Sequence, residues 1–372
     1  MQDTLARSDS NKAAGRSNRS SGESLKAPIA PVRVLLACGW LTADQAADPR
    51  LRIESLTRSH QVVRVTAADN RSAIVKQPTP EARHSGRSLA RELYVYRLAA
   101  WIAALAKILP APYLIDERRQ LLVCESLACG LNWPDDIEID RIAAPGVAEQ
   151  LGRAMAIWHR ETKGIALEPS PAAGILYLKD SLATALQGRS ESAQTYLRSL
   201  AADAEFCEAF RQGALLYRPE CLIHGDIRPD NWIVRRDPEH IALKVFDWEL
   251  SGLGDPAWDI ASACAEAVID LLRTGVSILP DNSGWPPCAA STLREFIRAY
   301  AAAQRGIRTN TAPNWIAVVL FSASRLLHVA SEWAEYPYNL DSGIVDQIVG
   351  YARSLLRARQ QAAAALANWA YW

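Results

Sequence analysis

Apolar positions along the chain recur with two different periods, and the change divides it. Ser72-Ala73-Ile74-Val75-Lys76 reads as a strand ending in a lysine, and Tyr113 to Glu125 reads as a hairpin around a charged turn. Between them, Ala90 to Leu98 has the spacing of an amphipathic helix. After residue 128 the three- and four-residue helical spacing dominates, over Val147–Arg160, Leu176–Gln187, Thr292–Gln304, Ala312–Glu335 and Ile344–Asn368. One strand-forming stretch interrupts the helices: Trp232-Ile233-Val234 and Ile241 to Phe246 flank a polar run at Arg235–His240, a second hairpin. The pattern predicts an α+β protein with a strand-rich part at 28–128 and a helical part at 129–372. Residues 1–27 are rich in Ser, Asn, Arg and Gly and have no aromatic, so they offer no face to pack and are expected to be disordered.

Composition narrows the function classes. Lys plus Arg equals Asp plus Glu at 41 each, so no general field draws the chain to nucleic acid or to an anionic membrane. The seven cysteines are scattered without a CxxC, against a zinc site or a disulfide framework and in favour of a reducing cytoplasm. The longest apolar run, Trp315–Phe321, is cut short by Ser322, Ser324 and Arg325 and is read as a buried helix.

The chemistry is concentrated between Leu222 and Asp259. Apolar Leu222-Ile223 and Trp232-Ile233-Val234 bracket a polar loop holding His224, Gly225, Asp226, Pro229 and Asn231, and Asp247-Trp248-Glu249 follows the second hairpin strand. With the turn centred near Glu239, antiparallel pairing sets Asn231 opposite Asp247, so that an amide oxygen and a carboxylate converge at one end of the hairpin. Such a pair suits Mg²⁺, which takes its remaining ligands from water and substrate phosphates. Asp226, on the same loop, is placed to accept the proton of an attacking hydroxyl. Any one of these residues alone is more often a turn former or a helix cap; the set in this order points to phosphoryl transfer. Downstream, Asp255 is a good N-cap, Pro256 suits the first helical position, and Ile260, Cys264, Val268 and Leu271 share a helical face.

With HGDIRPDN followed by FDWE, the chain resembles the aminoglycoside phosphotransferase family, over roughly residues 50 to 330. The resemblance implies a two-lobed protein-kinase-like fold: a small antiparallel β lobe with one helix, binding nucleotide, and a larger, mainly helical lobe carrying the catalytic and metal loops and the acceptor pocket. It implies Asp226 as catalytic base, Asn231 and Asp247 as metal ligands, Asp259 as a buttress of the catalytic loop, and His224 as structural support. It implies that Lys76 meets the α/β-phosphates and is held by Glu92, with Glu81 as the other candidate partner. The interlobe hinge then falls at Glu125, Ser126 and Leu127, which would receive the base. Glu249 stands equally as a third metal-side carboxylate or as a solvated neighbour. Two departures matter. The first hairpin, Arg58–Val65, has no glycine, so phosphate contact there uses side chains such as Ser59 or His60, or is looser. Gly225 stands where protein kinases have an arginine that reads a phosphorylated activation loop, and no such loop follows.

The expected activity is therefore transfer of the γ-phosphoryl group of ATP or GTP, with Mg²⁺, to a hydroxyl of a small molecule or a precursor peptide. Polycationic aminoglycosides are disfavoured as acceptors, because Ser262 to Trp372 holds eight acidic residues against nine arginines. Trp285, Trp315, Trp333, Tyr336 and Tyr338 could cage a quaternary ammonium or line a peptide groove, although helix packing explains such rings as well. The glycine-free loop leaves open a catalytically inactive scaffold that binds a peptide or partner enzyme, and a nucleotidyl transferase is a third, weaker possibility.

Overall fold

The computed structural model describes residues 30–56, 60–79, 89–127, 141–236, 241–276, 278–305, 313–335 and 342–371. Ser59, Glu81, Tyr336, Tyr338 and the segment 1–27 lie outside them. Two short helices open the described chain, α1 (Pro31–Ala37) and α2 (Ala43–Ala47). Thr42 starts α2 in a capping box, its Oγ1 accepting from the Gln45 N–H at 3.2 Å while Gln45 Oε1 accepts from the Thr42 N–H at 3.0 Å.

Five strands follow, β1 (Arg52–Ser55), β2 (Gln61–Thr66), β3 (Ser72–Gln77), β4 (Pro112–Asp116) and β5 (Leu121–Glu125). They form one antiparallel sheet in the order β1-β2-β3-β5-β4. Side chains alternate across it. Val63, Val75 and Val123 are in register and pack on one face with Val34, Leu35 and Trp40, a small core of its own. The opposite face carries Val62, Lys76 and Leu122 in one row and Arg64, Ile74 and Cys124 in the next. The helix expected between β3 and β4 is α3 (Leu89–Ala99), followed by a short α4 (Ala103–Ile108). Among the described residues the small part of the chain thus has one long helix, joined by three short ones whose few apolar positions give no legible period.

The larger part is built from α5 (Val147–Glu161), α6 (Leu178–Ala185), α7 (Glu191–Ala202), α8 (Ala204–Leu216), α9 (Pro256–Arg273), α10 (Pro287–Gln304), α11 (Trp315–Ala334), α12 (Ser342–Arg357) and α13 (Arg359–Tyr371). The single helix expected over Ile344–Asn368 is divided at Ala358 into α12 and α13. The stretch expected from Leu176 opens instead with a 3₁₀ turn, Ala172–Tyr177. Helices α9 and α11 form the centre; α11 is long and apolar enough to cross a membrane, but most of it is buried against its neighbours. Helices α5 and α10 approach closely because residue 152 is glycine: a Cβ there would lie 2.4 Å from the Phe296 carbonyl oxygen.

Set among these helices are the hairpin β7 (Trp232–Arg236) and β8 (Ile241–Val245), and β6 (Cys221–Ile223) paired with β9 (Gly252–Gly254). Trp232 pairs with Val245, and the Phe246 N–H donates to the Asn231 carbonyl, so Asn231 faces Phe246 and not Asp247. The register is one residue from the expected one. Loops 224–231 and 246–251 nonetheless emerge side by side, because β6 and β9 clamp their outer ends together.

Gly152→Ala should lower the unfolding free energy by about 1–3 kcal/mol, since rigid backbone leaves the new methyl no room; denaturant titration showing an unchanged midpoint would contradict that close approach.

Candidate active site

Lys76, at the end of β3, reaches across the small sheet and meets two carboxylates. Its Nζ donates to Glu92 Oε2 of α3 at 2.6 Å and also to Asp247 Oδ1, just beyond β8. Helix α3 has the right phase for this: Glu92 lies on its buried side with Leu89, Leu93 and Tyr96. Burial opposes the charge on Lys76, but Asp247 and Glu92 outweigh it and hold the ammonium above its ordinary range. Burial likewise pushes Asp247 up, and Lys76 overrides it, leaving that carboxyl below its usual value. Glu92 is pushed the other way, upward, because its burial exceeds the help it receives from the same lysine.

Asp247 sits in the left-handed region at φ 64°, a conformation that costs a non-glycine residue energy and turns the chain sharply out of β8. Next to it, Asn231 Nδ2 donates to the Asp226 carbonyl at 2.9 Å and to Asp226 Oδ2 at 3.2 Å. The structure therefore makes two groups of contacts, Lys76 with Glu92 and Asp247, and Asn231 with Asp226, and brings them together where Phe246, the neighbour of Asp247, donates its N–H to the Asn231 carbonyl. Glu125 and Leu127 line the same cleft as Lys76, Asn231 and Asp247. At the hinge, the Glu125 N–H donates to Ala111 and the Ser126 N–H to Ser72, so among the described residues Leu127 is the hinge position whose N–H takes no protein acceptor.

The loop around Asp226 is held from behind. Asp259, fully buried in the first turn of α9, accepts from the His224 N–H at 2.7 Å and the Gly225 N–H at 2.9 Å, and also meets His159 Nε2 at 3.1 Å. His224 Nε2 donates to the Phe246 carbonyl at 3.0 Å, which leaves Nδ1 to accept from the Asp226 N–H at 3.2 Å. That pair of bonds fixes a neutral tautomer and links the two loops. Gly225 is required sterically: its φ is +87°, and a Cβ would lie 2.7 Å from the Leu250 oxygen and 2.8 Å from the Ala172 methyl.

Three arginines that the sequence did not single out join the site. Arg325 of α11 is fully buried and donates through Nη2 to Asp226 Oδ1 at 2.5 Å. Arg228 meets Glu332 at 3.1 Å. Arg91 ties α3 to the 246–251 loop through the Ser251 carbonyl and to the neighbouring Pro169 carbonyl. His60, a candidate phosphate contact, bonds Glu249 Oε2 through Nδ1 at 3.0 Å and so joins the β1–β2 turn to that loop. Glu249 is nearly buried there rather than a solvated neighbour. The legible signal was a polar stripe on an otherwise apolar helix: Arg325, His328 and Glu332 recur at three- and four-residue spacing along α11. Burial pushes the Asp226 carboxyl up, but Arg325, and then Arg228, overcome it and set the group at about 2. Trp285, in contrast, is sealed in the core with its indole N–H on the Ala362 carbonyl and supplies no wall to a ligand cage.

Residues 52–312, more than half of the chain, match the phosphotransferase enzyme family. The chain belongs to that family. It is a kinase-like phosphotransferase. Its fold is shared with an ethanolamine kinase from Plasmodium vivax, 12% identical with a TM-score of 0.51 over 88% of this chain and 86% of that one. A choline kinase from Cryptosporidium parvum, 10% identical, gives a TM-score of 0.51 over 92% and 99%. Among curated proteins, the mouse acyl-CoA dehydrogenase family member 11 is 37% identical over 100 residues, 26% of the phosphotransferase and 12% of the mouse protein. A probable acyl-CoA dehydrogenase from Arabidopsis thaliana is 32% identical over 118 residues, 30% of this chain and 14% of that one. The phosphotransferase thus matches only about an eighth of the length of these relatives.

The Asp226 carboxyl is depressed from 3.8 to about 2 in the folded state, so its contribution to stability is present above about pH 4 and disappears as pH falls towards 2. Urea unfolding across that range should show the parent losing about 2 kcal/mol more than Asp226→Asn; parallel pH profiles would mean that Arg325 does not hold the ionised carboxylate.

Proposed function

We propose that the phosphotransferase moves the γ-phosphoryl group of a purine nucleoside triphosphate to a hydroxyl of a small-molecule or peptide acceptor, with Mg²⁺ as the cation. The observation that carries this is the shared contact of Lys76 with Glu92 and Asp247, set beside Asn231 and Asp226. A lysine fixed between two carboxylates and facing a cleft is a phosphate-binding cation kept in one place.

The residues fit a magnesium ion. Asp247 gives one oxygen to Lys76 and has a second to offer, and Asn231, anchored through Nδ2, offers Oδ1. Among the described residues no group of three or more His, Cys, Asp and Glu forms a metal cage, so a cation here takes its other ligands from phosphate and water, as Mg²⁺ does. When bound, the metal supplies neutralisation of the charge on the phosphoryl group.

The remaining work belongs to the chain's own groups. Lys76 neutralises phosphate oxygens, and Glu92 keeps it from collapsing onto Asp247 alone. Asp226 accepts the hydrogen bond of the incoming hydroxyl and orients its oxygen towards phosphorus. With its pKa near 2 it is a weak base, so the proton passes to it late, as the new P–O bond forms and the bond to the leaving nucleoside diphosphate breaks. Arg325 holds the carboxylate in one rotamer for that task. Glu125 and Leu127 border the base end of the cleft. Asp259 and His224 act through the loop and touch no reactant.

A dehydrogenase activity taken from the names of the curated relatives has little support, since the matched stretch is a small fraction of those proteins and the fold here is kinase-like. An inactive scaffold also fits poorly, because it has no physical need for Asn231 and Asp247 side by side.

Asp226→Asn should reduce phosphoryl transfer, or transfer to water when no acceptor is supplied, at least 100-fold with nucleotide affinity within about threefold of the parent. Radiolabelled transfer and calorimetric titration measure the two quantities; a variant with full turnover would remove Asp226 from the base role.

A further inference from the structure

No glycine occurs in Arg58–Val65, the stretch that enters β2, and His60 and Val62 from it line the cleft. Side chains alternate along β2, so His60, Val62 and Arg64 share the cleft-facing side of the sheet. Val62 is level with Lys76 and Leu122, and Arg64 with Ile74 and Cys124, the residue before the hinge. His60 therefore lies beyond the level of Lys76, on the side away from the hinge. That is the end of the cleft that the phosphates take in the function proposed above.

Here the imidazole is engaged by protein. His60 Nδ1 donates to Glu249 Oε2 at 3.0 Å, and both residues are buried. Glu249 stands two positions after Asp247, so the contact ties the roof of the cleft to the loop that forms its floor, next to the Lys76–Asp247 pair. The two partners are anchored unequally. The 246–251 loop is pinned from α3 by Arg91 Nη1 on the Ser251 carbonyl at 3.0 Å, and from behind by the Ser170 hydroxyl on the Leu250 carbonyl at 2.6 Å. His60, in contrast, lies outside both registers of β2, which end at Gln61 with Gln77 and at Val63 with Ser55. The roof is thus the side that can lift.

We infer that the His60–Glu249 contact is a strap across the phosphate end of the cleft. It does with one side-chain bond what a glycine-rich loop does by covering the phosphates with main chain. Protein groups alone fasten it, so a nucleotide enters and leaves by unfastening it. His60 is then a positioning residue that sets the rates of nucleotide exchange and touches no reactant. The strap rests on the phosphotransfer function above and adds to it the step that controls entry and release.

The test is stopped-flow binding of Mg·ADP and Mg·GDP, each with a methylanthraniloyl fluorophore on the ribose, to the full-length parent, His60→Ala and His60→Asn. Asparagine keeps an N–H donor close to the position of Nδ1. Each variant is checked for an unfolding midpoint like the parent's, and His60→Phe, which fills the space without a donor, replaces His60→Ala if that variant unfolds early. Removing the donor should raise the association and dissociation rate constants together, each about tenfold or more, as loss of a hydrogen bond to a charged group implies. The dissociation constant should stay within about threefold of the parent's, because the strap is fastened with and without nucleotide. His60→Asn should return both rates most of the way to the parent's. A faster dissociation alone, with affinity falling in step, would make His60 a phosphate ligand and overturn the strap, and unchanged rates would overturn it as well. In both cases nucleotide still binds and the phosphotransfer function stands. Failure of the parent to bind either nucleotide would overturn both.

Discussion

The structure depends on where one ammonium group is held. Lys76 comes from a β-strand, Glu92 from the helix after it, and Asp247 from a loop 171 positions away in the helical part of the chain. No two of these segments are otherwise obliged to meet. In water such charges gain little from pairing, but here Lys76 and Glu92 are buried while Asp247 is half-buried at the cleft, and leaving either buried member unpaired would cost roughly several kcal/mol. Closure of the small sheet onto the hairpin β7–β8 is thereby coupled to the assembly of a cleft floored by Asn231 and Asp247. Arg91 and the His60–Glu249 contact reinforce the closure from the two sides of the same loop.

Behind that contact, a second constraint fixes the loop of Asp226. Asp259 accepts two successive backbone N–H groups, so the loop is pinned by main chain and its side chains are left for other work. The positive φ of Gly225 and its contact with Leu250 then bring the 246–251 loop against it. Arg325 completes the balance. A carboxylate placed against an apolar helix would be driven to protonate; an arginine from that same helix keeps it ionised and in one orientation. The phosphotransferase obtains a well-positioned hydrogen-bond acceptor at the expense of basicity.

Much of this was legible in the sequence, for definable reasons. Strand-forming runs located β3, the hairpin of β4 and β5, and that of β7 and β8, because each is a short apolar run bounded by polar turn residues. Asp226, Asn231 and Asp247 were identified from order and spacing and Lys76 and Glu92 from the resemblance to the family; the structure pairs Lys76 with Glu92 and Asp247, and Asn231 with Asp226. The register of β7 with β8 was misplaced by one residue, since a polar turn carries no mark of its centre. The break at Ala358 was hidden because both flanking segments keep helical spacing. Arginines were the main omission. Arg325 interrupts an apolar run and was read only as an obstacle to a membrane span, and Arg64 looked like an ordinary polar position on a strand; what each touches is decided by partners more than ten residues away in the chain or on another strand. Burial of a charged side chain is a tertiary fact, visible once the register and helix packing are known.

The central claim is that Lys76, Asn231 and Asp247 form a magnesium–nucleotide site. Its most direct test is the shift in unfolding temperature on adding GTP or ATP with and without Mg²⁺, in the parent and in Asp247→Asn. A ligand at a hundred times its dissociation constant adds about 2.7 kcal/mol to the folded state, and the account predicts a magnesium-dependent rise of several degrees in the parent that Asp247→Asn loses. No rise with either nucleotide, or an equal magnesium-dependent rise in the variant, would contradict it.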